Sequence, residues 1–254
     1  MKILYFTASG NCLAVAKRFE AERYSIPQMI KENRYILEDD VIGIIYPVYG
    51  FGIPGIVIRY LKQATLKADY IFVIATYGNM DGATLHEMKK LLESNGNRAD
   101  YYRTLLMVDN YLPGFDIRDQ LAKLPEKDIE GHLSGILEDV RQRKKRYVDK
   151  GFGWNIITSV FNNHKAGIMS RCAEKLFSVS DDCIGCGLCS RVCPVGNVTQ
   201  TEKNKPVFSD HCESCFACVH NCPERAIHIK GEKSKERFRN PDVSAEEIVE
   251  ANMQ

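Results

Sequence analysis

Cys183-Ile184-Gly185-Cys186-Gly187-Leu188-Cys189-Ser190-Arg191-Val192-Cys193-Pro194 is followed by Cys212-Glu213-Ser214-Cys215-Phe216-Ala217-Cys218-Val219-His220-Asn221-Cys222-Pro223. Each run reads C-x2-C-x2-C-x3-C-P, and each cysteine of the second lies 29 residues after its mate. Three thiolates at two-residue gaps reach three corners of one 4Fe–4S cluster, and the fourth corner is reached from the other run. Cluster I then draws on Cys183, Cys186, Cys189 and Cys222, and cluster II on Cys212, Cys215, Cys218 and Cys193. The exchange ties the two halves into one folding unit. Pro194 and Pro223 turn the chain away after the fourth ligand, and Gly185 and Gly187 let backbone N–H groups approach cluster sulfur. Zinc and disulfides are the competing uses of so many cysteines. Zinc ribbons pair two C-x2-C knuckles rather than two proline-closed runs of four, and disulfides suit a secreted chain.

The runs resemble the bacterial two-cluster ferredoxins over about residues 180–230. The 254-residue chain leaves ample length for a second, larger core. Its formal charge of +1, from 34 basic and 33 acidic residues, gives no reason to expect a nucleic-acid partner. There is no apolar run of spanning length, and the N-terminus enters a strand-like stretch with no signal peptide. Reduced cysteines without an export signal predict a cytoplasmic protein, suited to a low-oxygen cell. Cys12 and Cys172, outside the runs, read as ordinary buried or half-buried thiols.

Upstream, Met1–Phe6 is strand-like, Thr7-Ala8-Ser9-Gly10-Asn11-Cys12 is a polar turn, and Leu13 to about Arg23 has helical periodicity through Leu13, Val15, Ala16 and Phe19. Strand, polar loop and helix start together form a layout that presents N–H groups to a phosphate. Val41–Pro47, Tyr70–Thr76 and Arg103–Val108 read as further strands, with helices near Ile56–Gln63 and Thr84–Ser94. This alternation predicts a parallel sheet covered on both faces.

Thr7–Cys12 resembles the flavodoxin phosphate loop, T/S-x-T-G-N-T after the first strand. It has neither the G-x-G-x-x-G of dinucleotide folds nor a P-loop lysine. The resemblance, over about residues 1–150, implies a flavodoxin-like doubly wound sheet with FMN outside its strand ends. It implies phosphate contacts from Thr7, Ser9, Gly10, Asn11 and Cys12. It also implies flavin contacts from Pro47, Val48, Tyr49, Gly50, Phe51 and Gly52, and from Thr76, Tyr77, Gly78, Asn79 and Gly82. Tyr49 and Tyr77 fall where flavodoxins place stacking rings, and Asn110 and Tyr111 border the same place. Cys12 departs from the usual threonine and is a weak donor, so affinity leans on Thr7, Ser9 and main-chain N–H groups. The loop holds no Lys or Arg, so a bound phosphate stays negative and lowers the flavin potential.

Residues 119–150 read as mostly helical, with a stripe of Ile129, Leu133, Ile136, Leu137 and Val140. The basic run Arg141–Arg146 suits a solvated helix end or a dock for an acidic partner. Residues 151–179, with Trp154, Ile156, Ile157, Val160 and Phe161, are too apolar for a free tether. They read as a packed linker or a membrane-surface helix, with His164 as a polar surface residue. Residues 231–254 form a charged tail in which Ser244 and Glu247 make a capping box.

The whole resembles the flavodoxin–ferredoxin fusion proteins: a flavodoxin-like domain, a packed linker, a small α+β ferredoxin domain at 180–230, and the tail. That resemblance implies two 4Fe–4S clusters and FMN relaying electrons to or from a redox protein partner, with the clusters coupled to a two-electron acceptor. No acid–base dyad or nucleophile stands out, and no separate NAD-binding domain is visible. The alternatives are a reductase of a small molecule (a quinone, a flavin or a tetrapyrrole precursor) and a redox sensor. The sequence leaves open whether clusters and flavin meet within one monomer or across a homodimer.

Overall fold

The protein, seen in a computed structural model, is described over residues 1–148 and 173–252. Seven strands come first: β1 (Lys2–Tyr5), β2 (Glu22–Ser25), β3 (Ile36–Glu38), β4 (Val41–Pro47), β5 (Thr65–Lys67), β6 (Tyr70–Tyr77) and β7 (Tyr101–Leu106). Between and after them lie α1 (Asn11–Lys17), α2 (Ile26–Lys31), α3 (Gly55–Leu61), α4 (Thr84–Ser94), α5 (Ile117–Ala122) and α6 (Ile129–Arg141). The main sheet runs β2-β1-β4-β6-β7 with every pair parallel, while β3 and β5 form a small ladder of their own. With that ladder set aside, this is the flavodoxin-like strand order, whose direction of winding reverses between β1 and β4.

Burial follows from the strands' composition. Ile3, Tyr5, Ile45, Phe72 and Ile74 point to one face, against Leu13 and Ala16 of α1, Phe19 just after it, and Leu133, Ile136 and Val140 of α6. Their alternates Leu4, Phe6, Ile44, Val73 and Ala75 point to the other, against α2, α3 and α4. Strands buried on both faces are near-continuously apolar, as parallel strands are.

The first helix is shorter than its periodicity predicted. It ends at Lys17, and Glu22 and Arg23 lie in β2, paired with Lys2 and Ile3. Edge pairing to β1 decides a short polar segment that has little preference of its own. The expected helical stretch 119–150 is divided into α5, a 3-10 turn over Leu124–Lys127, and α6, which Asp128 caps through Gly131 N. The basic run leaves the helix at Arg141. Arg143 takes φ +49°, Lys144 pairs with Asp139 at 2.7 Å, Lys145 pairs with Asp100 at 3.3 Å, and Arg146 bridges to Tyr101 along the sheet edge. Cys172, His164 and most of the expected linker, Trp154 included, lie outside the described residues.

The C-terminal module repeats at the same offset of 29 as its cysteines. β8 (Phe177–Val179) corresponds to β10 (Pro206–Phe208), and β9 (Val198–Gln200) to β11 (Ile227–Ile229); the helix Leu188–Arg191 corresponds to Ala217–His220. β9 pairs with β10 and β11 with β8, both antiparallel, so each ladder joins the two halves. Left-handed backbone recurs in register: Gly185 and Ser214 at φ 70° and 53°, Gly187 and Phe216 at 72° and 57°. The tail is not free. Ser244 and Glu247 form the capping box at 2.8 and 3.1 Å, and the helix Ala245–Asn252 packs Ile248 and Ala251 onto the α1 face of the sheet. Among the described residues no helix is long and apolar enough to cross a membrane.

Candidate functional site

The helix Leu188–Arg191 starts directly after the left-handed Gly187, which turns Cys186 and Cys189 toward a common space. Cys183, Cys186, Cys189 and Cys222 line that space together, the last supplied by the second run. The complementary group forms around Cys212, Cys215 and Cys218. Burial raises all three thiols, Cys212 to about 11, and Cys193 adds to the rise in each. For Cys189, at about 11, burial is again the main cause, and Cys186, Cys222 and Cys183 are the thiols that add to it. Thiols crowded in this way disfavour one another's charged form until a cation binds them. Among the described residues no three His, Cys, Asp or Glu side chains converge on one ion position. Cys183, Cys186, Cys189 and Cys222 border one small space, four thiols for the four corners of a cluster. Main-chain N–H groups of Asn197 and Ala226 donate to Cys193 and Cys222 Sγ at 3.2 and 3.3 Å, again at equivalent positions.

The two rings differ in setting. Cys186 is exposed and the neighbouring Ile184 is 66% exposed. Cys218 is buried, and Cys212 and Cys215 face inward, onto a cavity of about 900 Å³ at the carboxyl ends of the parallel strands. Sheet register sets this cavity: Pro47 pairs with Thr76 and Thr76 with Leu105, so the loops after β4, β6 and β7 emerge side by side. Thr7, Ser9, Asn11, Cys12, Pro47, Val48, Tyr49, Gly50, Phe51, Thr76, Tyr77, Gly78 and Asn79 all line it, as do Asn110 and Tyr111. Gly10, Gly52 and Gly82 do not line it. Gly10 caps α1 at φ +99°, Gly52 closes a two-way bridge with Tyr49, and Gly82, at φ +57°, lets its loop touch Phe51, whose carbonyl O would lie 2.5 Å from an added Cβ.

Cys12 is buried and hydrogen-bonds Thr76 Oγ1 at 3.1 Å; burial pushes its thiol up to about 12, so it is neutral. Gly78 lies against Asp109, whose Cα would be 2.3 Å from an added Cβ. Lys127 Nζ donates to Gly78 O at 3.1 Å and to Met107 O, tying the loops after β6 and β7. Burial lowers its ammonium pKa and Asp109 partly restores it. Lys127 carries no motif, and nothing in the sequence around it marks it.

One wall of the cavity has no counterpart among the residues expected from the sequence. Cys212, Glu213, Ser214, Cys215 and Phe216 line it from the C-terminal module. Phe216 stacks on Tyr111 with centroids 5.9 Å apart. Glu213 accepts from Ile56 N at 3.0 Å in the first turn of α3 and pairs with Arg59, so the Cys212–Phe216 loop is anchored beside the sheet. Behind the Thr7–Cys12 loop, Asn221, Asn240 and Asn252 bond its main chain or side chains. His220 joins this set: its Nε2 lies 2.8 Å from Asn110 O, and Asn110 in turn donates to Ser9 Oγ.

Comparison with known proteins places a 4Fe-4S dicluster domain at residues 175–223. An uncharacterized ferredoxin of Methanocaldococcus jannaschii is 41% identical over 64 residues, 24% of this chain and 83% of that protein. A component of the ion-translocating oxidoreductase complex of Methanosarcina acetivorans is 40% identical over 48 residues, 19% of this chain and only 18% of that protein. A flavoprotein from Lactobacillus acidophilus, solved in complex with FMN, is 16% identical with a TM-score of 0.30, covering 41% of this chain and 91% of that one. At that score the likeness adds nothing to the strand order described above.

Proposed function

We propose that this chain, a member of the flavodoxin–ferredoxin fusion family, relays electrons between a redox partner at its surface and FMN in the cavity at the strand ends. Bound clusters pass electrons singly and FMN exchanges one or two, so together they join one-electron carriers to a two-electron acceptor. One observation carries the reading. Cys212–Phe216 is both the ligand loop of the inner thiol ring and a wall of the cavity.

In this reading Cys183, Cys186, Cys189 and Cys222 hold the cluster nearer the surface, where exposed Ile184 and Cys186 offer a docking face. Cys212, Cys215, Cys218 and Cys193 hold the inner one, and Cys189 lies close enough to Cys218 to add to the rise of its thiol. Thr7, Ser9 and the loop's main-chain N–H groups bind the phosphate. Tyr49 and Tyr77, both half-buried, flank the ring, and Gly50 and Gly78 let main chain approach it. Glu213 and Arg59 fix the inner ligand loop against α3, which supplies a set distance rather than a chance encounter. The relative from M. acetivorans belongs to an oxidoreductase complex, which supports a protein as the outer partner.

Anaerobic reconstitution with iron, sulfide and FMN tests this. The expected product holds flavin and both clusters together, and reduction of the clusters bleaches the flavin. A protein that takes up iron but binds no FMN would end the reading. The cavity also reaches Ile58, Arg59, Glu87 and Leu91, beyond the expected loops, and about 900 Å³ is near the upper end for small-molecule sites. That favours, as a second reading, a small organic acceptor beside the flavin. Reoxidation of the reduced protein by a panel of quinones and free flavins distinguishes it from a pure relay.

A further inference from the structure

The loop Thr7–Cys12 is held from behind by the other end of the chain. Asn252 Nδ2 donates to Thr7 O at 2.9 Å, and Asn221 Nδ2 donates to Ala8 O at 3.1 Å. Asn240 N donates to Ser9 O at 2.8 Å, and its Nδ2 donates to Asn11 Oδ1 at 3.1 Å. Three successive carbonyls are thus turned toward the C-terminal segment. Among the described residues every peptide bond is trans, so the N–H following each carbonyl points the opposite way. For Thr7 and Ala8, those are the N–H groups of Ala8 and Ser9, two residues that line the cavity. The third, Gly10 N, donates to Thr7 Oγ1 at 3.2 Å. Contact is close throughout: a Cβ on Gly10 would stand 3.0 Å from both Asn240 and Val243. All three asparagines are buried, Asn252 completely.

We propose that the segment containing Asn240 and Asn252 is part of the flavin-phosphate site. Asn252 and Asn221 hold the Thr7 and Ala8 carbonyls by their side chains, and the main-chain N–H of Asn240 holds that of Ser9; together they set the peptide orientations of the loop, so phosphate binding and seating of this segment stabilise each other. The inference rests on reading the cavity as the flavin site and adds positioning residues to it. A phosphate site made of main-chain N–H groups binds well only if those groups are already aimed, because reorganising the loop on binding subtracts from affinity. Coupling of this kind is reciprocal.

The test uses the full chain loaded with its clusters, and compares the parent with Asn221→Ala and Asn252→Ala, each of which removes one side-chain bond to a loop carbonyl. Dissociation constants are measured by flavin fluorescence for FMN and for riboflavin, which has the same ring without the phosphate. Loss of one buried hydrogen bond should raise the FMN constant roughly five- to tenfold, with riboflavin changed less than about twofold. Iron content should match the parent. Equal weakening of both flavins would mean a general loosening of the fold and overturn the proposal, as would an unchanged FMN constant. Should Asn252→Ala fail to fold, Asn221→Ala carries the same comparison, because it too removes a side-chain bond to a loop carbonyl, that of Ala8. A parent that binds neither flavin would overturn the flavin reading itself, and this inference with it.

Discussion

Removing the Glu213 carboxylate should loosen the joint between the two modules by an amount that its contacts bound. The side chain is only 7% exposed, between Cys212 and Cys215, and it reaches across to α3. One oxygen accepts from Ile56 N at 3.0 Å and the other pairs with Arg59. Loss of a helix-cap acceptor costs about 0.5–2 kcal/mol. The ion pair contributes less, about 1 kcal/mol or below, since Arg59 is 56% exposed and regains water when its partner leaves. Glu213→Ala should therefore cost about 1–3 kcal/mol. Glu213→Gln keeps an oxygen for Ile56 N and should cost about 1 kcal/mol at most. Arg59→Ala should resemble Glu213→Gln. The double variant Arg59→Ala/Glu213→Ala should fall short of the sum of the singles by about 0.5–1 kcal/mol, the coupling of a contacting pair. Denaturant unfolding of iron-loaded protein gives the energies, and the rate of flavin reduction after the clusters are reduced gives the functional consequence. Parent-like stability and rate in Glu213→Ala, with iron content intact, would refute the view that this contact seats the cluster loop on the cavity. A glutamine variant as damaged as the alanine variant would refute the division between cap and charge.

Cys193→Ser and Cys222→Ser should each lose about half the iron, from opposite rings, while FMN binding is retained; iron assay and electron paramagnetic resonance distinguish which cluster remains. Lys127→Met should cost about 2–4 kcal/mol in thermal or denaturant unfolding and weaken FMN binding, because the Gly78 and Met107 carbonyls lose a buried donor. The Cys12 thiol, raised from 9.0 to about 12 by burial, stays protonated in the fold while the unfolded chain deprotonates. Between those values the unfolded state holds fewer protons, so stability falls as pH rises. Cys12→Ala should flatten that part of an alkaline stability profile.

The cysteine runs were legible because cluster chemistry permits little freedom in spacing, and the same repeat governs strands, helices and left-handed positions throughout the module. Only the first half advertises its turns with glycine. In the second, Ser214 and Phe216 hold the same backbone conformation, and nothing local marks them. The buried strands β4 and β6 were equally plain, being apolar runs that each follow an aspartate pair or single aspartate and end before a glycine-bearing loop. β2 was missed because Glu22–Ser25 becomes a strand only by pairing with β1. The loops of the cavity could be read one by one, each following a strand. The wall from the C-terminal module could not, since Cys212–Phe216 meets them only through docking of one module on the other. Asn252 lies at the far end of the chain from Thr7, whose carbonyl it satisfies. Contacts between single asparagines and main chain leave no periodicity and no motif.

The proposed relay is a continuous path for electrons, from the surface to the flavin within one chain. Anaerobic stopped-flow tests it directly: a fast donor reduces the clusters, and flavin absorbance follows over a range of protein concentrations. Flavin reduction should be first-order, at a rate independent of protein concentration. A rate proportional to concentration, or clusters that stay reduced beside an oxidised flavin, would contradict a path within one chain.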